Sequence, residues 1–299
     1  MSRVAVIFGP TASGKSAVAL ALAGMVGGEI VSCDAMQAYR GLPILTNQPS
    51  AADLAAVPHH LVGVWPLDHR GSVAEFGELA RAAIDDVVGR GRTPIVAGGT
   101  GLYLRAALSD MRPPAQPAPG VRERYERMYD RDGAEAAHGV LQTLDAPAAA
   151  AVHPNDRRRV VRALELQEAG ESLTGGGLWR PDVRRPTALF GLQLPAAAGA
   201  ARIAERTRAM FDAGVVEEVR AALEHGPVSE TAGRIHGLQD VTAVIAGRID
   251  REEAIRRLDT RTRRYAKRQR TWMRKLPSLQ PVDASRPAAE VAAEIASQL

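Results

Sequence analysis

The chain has 299 residues, 45% of them hydrophobic and 24% charged, with a formal net charge of +4 at neutral pH. Such a length fits one large domain or two and can bury a sizeable core, and this composition excludes a wholly disordered chain. A single cysteine, Cys33, excludes an internal disulfide and a cysteine-rich zinc site, and the seven histidines are scattered without metal-ligand spacing.

In chain order, the apolar run VAVIF at Val4 to Phe8 predicts a first strand beginning near Arg3, which leaves no room for a signal peptide. The helix-forming stretch SAVALALA starts at Ser16. Between them lie Gly9, Pro10, Thr11, Ala12, Ser13, Gly14, Lys15 and Ser16. Two glycines flanking four residues, followed by Lys and Ser at a strand-to-helix turn, bring backbone N–H groups and a helix N-terminus onto an anion. Lys15 adds a point charge, and the Ser16 hydroxyl a magnesium ligand. The alternative is a glycine turn that binds nothing. The Ala-rich run from Ala17 to Val26 is too short to cross a membrane, so no membrane association and a cytoplasmic location are expected.

A second strand, GEIVSC, ends at Asp34 within SCDAMQAYRG. Ligands of open parallel sheets sit beyond the carboxyl ends of the strands, and the first two strands are expected to be close neighbours, which would set Asp34 beside the phosphate loop. There it could bind magnesium or accept a proton, or simply cap a turn. Cys33 reads as a small buried residue, and His59 and His60 as structural or surface side chains. A further strand, TPIVAG, leads into GGTGLYLRA, where two glycines permit close approach of a ligand and Thr100 offers a hydroxyl. No strand plainly ends in the acid that nucleotide hydrolases place beside this loop, unless Asp34 serves.

Residues 109–120, SDMRPPAQPAPG, read as a linker, and TGGGLWRPDVRRP at 174–186 as a second irregular stretch with a flexible GGG hinge at 175–177. Helical spacing between them predicts an all-helical insertion at 120–185 that interrupts a core made of residues 1–119 and 186–299. The expected fold is therefore α/β, a phosphate-loop NTPase-like parallel sheet flanked by helices. After a strand at TALFGLQL the remainder looks helical, with ARIAERTRAMFDAGVVEEVRAAL broken or bent near Gly214. Arg202 and Arg206 share a helix face and could clamp a diphosphate; by spacing alone a surface pair with Glu205 is the better reading. Between Arg256 and Lys275 stand ten Lys or Arg against one acid, Asp259, and a second basic run, RRRVVR, covers Arg157 to Arg162. Two such clusters suit a long polyanion; a solvated amphipathic helix is the plainer alternative.

Taken together, GPTASGKS, SCDAMQAYRG, residues 94–108, HPNDRRRVVRALE and AKRQRTW resemble, in order from about Val4 to Trp272, the tRNA dimethylallyltransferase family, also called tRNA isopentenyltransferases or the IPP transferase family. The resemblance implies transfer of a dimethylallyl group from dimethylallyl diphosphate to the N6 amine of the adenine just 3′ of the anticodon, with magnesium assisting. It implies that the loop from Gly9 to Ser16 grips the donor's diphosphate, that Asp34 is the general base, that Thr100 contacts the substrates and that Arg206 steadies the diphosphate. It further implies tRNA contacts, centred on the anticodon stem-loop, from Asp34, Ala35, Met36, Gln37, Thr100, Arg122, Arg157, Arg158, Arg159, Val160, Val161, Lys267, Arg268, Gln269 and Trp272. A monomer with basic C-terminal helices is expected. The chain departs from the family at Ala35, where Ser is usual, at ILTNQP (44–49) in place of IGTAKP, and at Leu238 in place of Tyr. No zinc-finger extension follows the last motif, as expected of a bacterial-type enzyme. A phosphate-loop kinase of small molecules, a prenyltransferase of free adenylate, and a non-catalytic RNA-binding module are the competing readings.

Overall fold

A computed structural model describes residues 3–110, 118–173, 183–276 and 278–299. Most of the proline-rich linker and the GGG hinge lie outside these residues. The chain divides into two compact units, Met1–Asp110 with Pro181–Leu299, and Met111–Arg180, where the sequence reading sets the insertion at 120–185.

The larger unit begins with β1 (Val4–Phe8), α1 (Lys15–Val26), β2 (Gly28–Cys33), α2 (Pro43–Thr46), α3 (Ala51–Ala56), β3 (His59–His60), α4 (Val73–Gly89), β4 (Thr93–Gly98) and α5 (Gly101–Leu108). The helical unit holds α6 (Val121–Asp132), α7 (Ala134–Leu144), α8 (Ala146–Ala151) and α9 (Arg157–Glu168). The larger unit resumes with β5 (Thr187–Gln193), α10 (Ala196–Asp212), α11 (Val215–Glu224), α12 (Leu238–Ile245), α13 (Arg251–Met273), β6 (Gln280–Asp283) and α14 (Ala288–Ala296).

All strand pairs are parallel, in the order β3-β2-β4-β1-β5-β6. Strand β4 therefore lies between β1 and β2, which corrects the expectation that the first two strands are close neighbours. The register explains why Asp34 is nonetheless close to the loop. Phe8 pairs with Gly98, and Gly98 with Cys33, so the three strands end level and their following loops open at one edge. Both faces of β1 are buried, Val4, Val6 and Phe8 in one core and Ala5 and Ile7 in the other, which is why the strand is an unbroken apolar run. Strands β3 and β6 are too short to show a period, and β6 falls in a stretch expected to be helical.

Gly214, at φ 92°, separates α10 from α11, as the sequence indicates. Helix α13 is the longest, at 23 residues. The Asp250 carboxylate caps it by accepting the Glu253 N–H at 2.7 Å, with Glu252 and Glu253 in its first turn and Arg270 in its last, the charge order that a helix dipole favours. In the helical unit, the HPND segment supplies the Asp156 cap of α9, whose inner face packs Val160 and Leu164 against Leu141 and Ala148.

Candidate active site

The loop after β1 folds tightly, with Ala12 at φ 64° and Gly14 at φ 90°. A left-handed conformation at Ala12 costs about 1 kcal/mol, a strain that concentrates at functional loops. The Ser13 hydroxyl is buried and has no hydrogen-bond partner among the described residues; the same holds for Arg206 Nε. Buried donors left open in this way fit an anion. The Lys15 ammonium donates to the Pro10 carbonyl at 2.8 Å. Burial pushes its pKa down to about 8, opposed by the Asp34 carboxylate and assisted by the Arg206 charge. Arg206 Nη2 donates to Thr11 Oγ1 at 2.7 Å, and burial lowers the guanidinium pKa while Asp34 opposes. Arg206 thus faces the loop, not Glu205, and the surface pair read from spacing is not formed. Arg202 borders the same cavity.

Across from the loop, one carboxylate oxygen of Asp34 accepts the Met36 N–H at 2.9 Å, fixing the side chain and leaving the other oxygen available to a substrate. Gln37 is tied at both ends: it accepts from the Ser32 hydroxyl at 3.0 Å and donates to the Asn47 carbonyl at 2.6 Å. Gln48, within the departing ILTNQP stretch, donates to the carbonyls of Gln37 and Tyr39 at 3.1 and 2.7 Å, so it braces the Asp34 loop. Glu218 accepts the N–H groups of Ile44 and Leu45 at 2.6 and 2.8 Å, holding α2 in place; burial raises its pKa despite those bonds.

The cavity between these walls measures about 410 Å³. Lys15, Ser16, Asp34 and Arg206 line it together with the apolar side chains of Met36, Leu45, Met210 and Leu258. One wall comes from α13. The Tyr265 hydroxyl lies 3.0 Å from Thr100 Oγ1, and burial raises the phenol pKa, with Asp34 adding to the shift. The buried Gln269 accepts the Thr11 N–H at 2.8 Å and donates to the Gly99 carbonyl at 3.0 Å. Gly101 sits so close to the Trp272 ring that a Cβ there would overlap it.

His236 escaped the sequence reading. Its ring meets Tyr265 edge-on, with centroids 4.7 Å apart, and burial pushes its pKa down to about 4, assisted by Arg268 and Arg261 and opposed by Asp34. It is therefore neutral at pH 7. His236 lines both the cavity and an adjoining groove of about 790 Å³ bordered by Arg234, Arg256, Arg257, Arg261, Arg264 and Arg268. Glu253 engages Arg256 and Arg257, whereas Arg264, Lys267 and Arg268 form no ion pair among the described residues and are exposed. Arg268 stacks over Tyr265 at 5.7 Å.

In the helical unit, Arg157 pairs with Asp130 at 2.7 Å and Glu126 at 3.4 Å, Arg122 with Glu126 at 3.1 Å, and Arg159 with Asp156 at 3.5 Å. Arg158 is exposed and without an ion pair among the described residues. Val160 and Val161 are buried, which corrects their expected place at an RNA surface: their side chains point into the fold, and the exposed side of that turn belongs to Arg158 and Arg159.

What stands beside β1 separates this site from nucleotide hydrolases: β4 ends at Gly98 and is followed by Gly99 and Thr100, with no acid, and the Asp34 carboxylate borders a cavity that polar and apolar side chains line together. Fold and site together define a group transferase built on a phosphate-loop sheet. A sequence model of the family described as IPP transferase matches residues 37–276, and one described as isopentenyl transferase matches residues 2–61. The tRNA dimethylallyltransferase of Anaeromyxobacter dehalogenans is 45% identical over 91% of this chain and 92% of its own, and that of Salinispora tropica 40% identical over 93% and 88%. The crystal structure of the full-length tRNA isopentenylpyrophosphate transferase of Bacillus halodurans superposes with a TM-score of 0.72 at 32% identity, covering 100% of this chain and 95% of that one. A eukaryotic dimethylallyltransferase crystallised while acting on tRNA shares the fold, with a TM-score of 0.75 at 24% identity over 95% and 74%. The chain belongs to the IPP transferase family.

Proposed function

We infer that this chain transfers a dimethylallyl group from dimethylallyl diphosphate to the N6 amine of the adenine 3′ of the anticodon in tRNA. One observation carries the reading: a phosphate loop with open buried donors and a carboxylate, Asp34, border one cavity that the apolar side chains of Met36, Leu45, Met210 and Leu258 also line. A five-carbon apolar group with a diphosphate on one side and a nucleobase on the other suits that division.

In the reaction the adenine nitrogen attacks the allylic carbon, the carbon–oxygen bond to the diphosphate breaks, and pyrophosphate leaves. Charge grows on the bridging oxygen, where Lys15, Arg206 and the N–H groups at the start of α1 act on the transition state. The exocyclic amine is a weak nucleophile because its lone pair is delocalised into the ring. Asp34, its second oxygen open, takes the proton that the nitrogen sheds. The Ser16 hydroxyl is a hard oxygen donor of the kind magnesium prefers and borders the cavity, so it fits the ion. When bound, magnesium would neutralise diphosphate charge.

A stacked base cannot enter such a cavity, so the adenine must leave the loop stack. The exposed Arg264, Lys267 and Arg268 on α13, and Arg158 on α9, support a polyanionic partner. Phosphate contacts would position the RNA and contacts to splayed bases would select it. Incubation with dimethylallyl diphosphate and magnesium should release pyrophosphate only when unmodified tRNA is added. Release supported equally by AMP, or ATP consumption without RNA, would contradict the reading.

A further inference from the structure

We propose that Gln269 is a positioning residue of the donor site, whose amide sets the shape of the phosphate loop from helix α13 and makes no RNA contact. The proposal rests on the reading of that loop as the diphosphate site. Gln269 is 3% exposed, although it stands in the most basic stretch of the chain. Both ends of its amide are used: Oε1 accepts the Thr11 N–H at 2.8 Å, and Nε2 donates to the Gly99 carbonyl at 3.0 Å. Only one orientation of the amide satisfies both partners, since the reverse would face donor to donor and acceptor to acceptor. An ionised Glu could not donate to Gly99, and Met could do neither. A Cβ at Gly99 would collide with this amide, so backbone and side chain meet with no space to spare.

Thr11 is thereby gripped from two sides, its N–H by Gln269 and its hydroxyl by Arg206 at 2.7 Å. Its N–H is withdrawn from any ligand, which leaves the donors nearer the start of α1 to meet the diphosphate. Tyr265, Gln269 and Trp272 recur at i, i+4 and i+7, one stripe of α13, and meet Thr100, Gly99 and Gly101 in turn. The basic side chains of Arg264, Lys267 and Arg268 lie off that stripe and are exposed. One helix thus serves the donor with one face and presents charge on another.

The test compares full-length wild type, Gln269→Met and Gln269→Glu, the last keeping the size of the side chain and an acceptor for the Thr11 N–H while removing the donor to Gly99, should the first variant fail to fold. Binding of inorganic pyrophosphate with magnesium and of an unmodified anticodon stem-loop RNA are measured separately, with kcat and the KM for RNA. Pyrophosphate affinity and kcat should each fall about ten-fold, as expected for the loss of an ordering hydrogen bond, while RNA affinity and KM stay within about two-fold. Weaker RNA binding with pyrophosphate binding intact, equal losses of both, or no change in either would overturn the proposal. Wild type failing to bind pyrophosphate would defeat the diphosphate reading as well.

Discussion

Asp34 and Lys15 border one cavity, and the role proposed for each gives a separable prediction. Asp34→Asn keeps the size of the side chain and an oxygen for the Met36 N–H but removes the base. Turnover should fall by about 10²–10⁴-fold while RNA affinity stays within about three-fold, measured by single-turnover transfer and equilibrium binding. Lys15, with a pKa near 8, is charged below that pH and loses its proton above it. The diphosphate favours the charged form, so pyrophosphate binding should be strongest below pH 8 and weaken above it, with proton uptake on binding. In Lys15→Met that pH step should vanish. For the free protein the sign is opposite: burying the charged lysine costs stability below pH 8, and the cost is relieved as pH rises from about 8 toward the ordinary lysine value of 10.5. Both side chains were legible in the sequence because spacing alone sets them after a strand. His236 was not, since its place between cavity and groove depends on the packing of the segment before α12 against α13, which no local pattern encodes.

Among the elements, α13 is the one whose two faces must be told apart. Basic density suggests a polyanion partner for it, with a solvated amphipathic helix as the alternative, and Arg264, Lys267 and Arg268 are exposed on it. Density could not show that Gln269 turns inward, because a glutamine among arginines looks equally polar on any face. Reversing Lys267 to Glu should weaken stem-loop binding and lower its dependence on salt by about one counterion, with pyrophosphate binding unchanged in a salt titration. The same distinction governs α9. Val160 is 0% exposed, so Val160→Ala should lower the thermal stability by about 1–2 kcal/mol through a core cavity, whereas Arg158→Glu should leave stability unchanged and weaken RNA binding. RRRVVR carried both a charge signal and an apolar pair, and only the helix built on the Asp156 cap separates them by face.

At the scale of the whole molecule, the α/β class, the central strands and the helical nature of the insertion follow from apolar runs bounded by turns. The sheet order does not: β4 enters between β1 and β2 because parallel strands are joined by crossovers whose landing place is set by packing, not by local sequence. The sheet also holds a buried acid. Glu29, on β2, is 2% exposed and accepts from Arg90 at 2.5 and 3.0 Å, with His60 at 2.8 Å. Burial alone would raise its pKa, but these hydrogen bonds outweigh that and hold it below the ordinary carboxylate range. Its contribution to stability is therefore present above the ordinary value of 4.5 and is lost as pH falls through the lowered one. Glu29→Gln should lower the unfolding free energy by about 2–4 kcal/mol at pH 7, with a smaller difference from wild type in acid. The account as a whole turns on which atom receives the dimethylallyl group. Mass analysis of nuclease fragments from unmodified tRNA, after reaction with dimethylallyl diphosphate and magnesium, should find one added C5H8 unit on the adenosine 3′ of the anticodon; unmodified tRNA, or the unit on any other nucleotide, would contradict it.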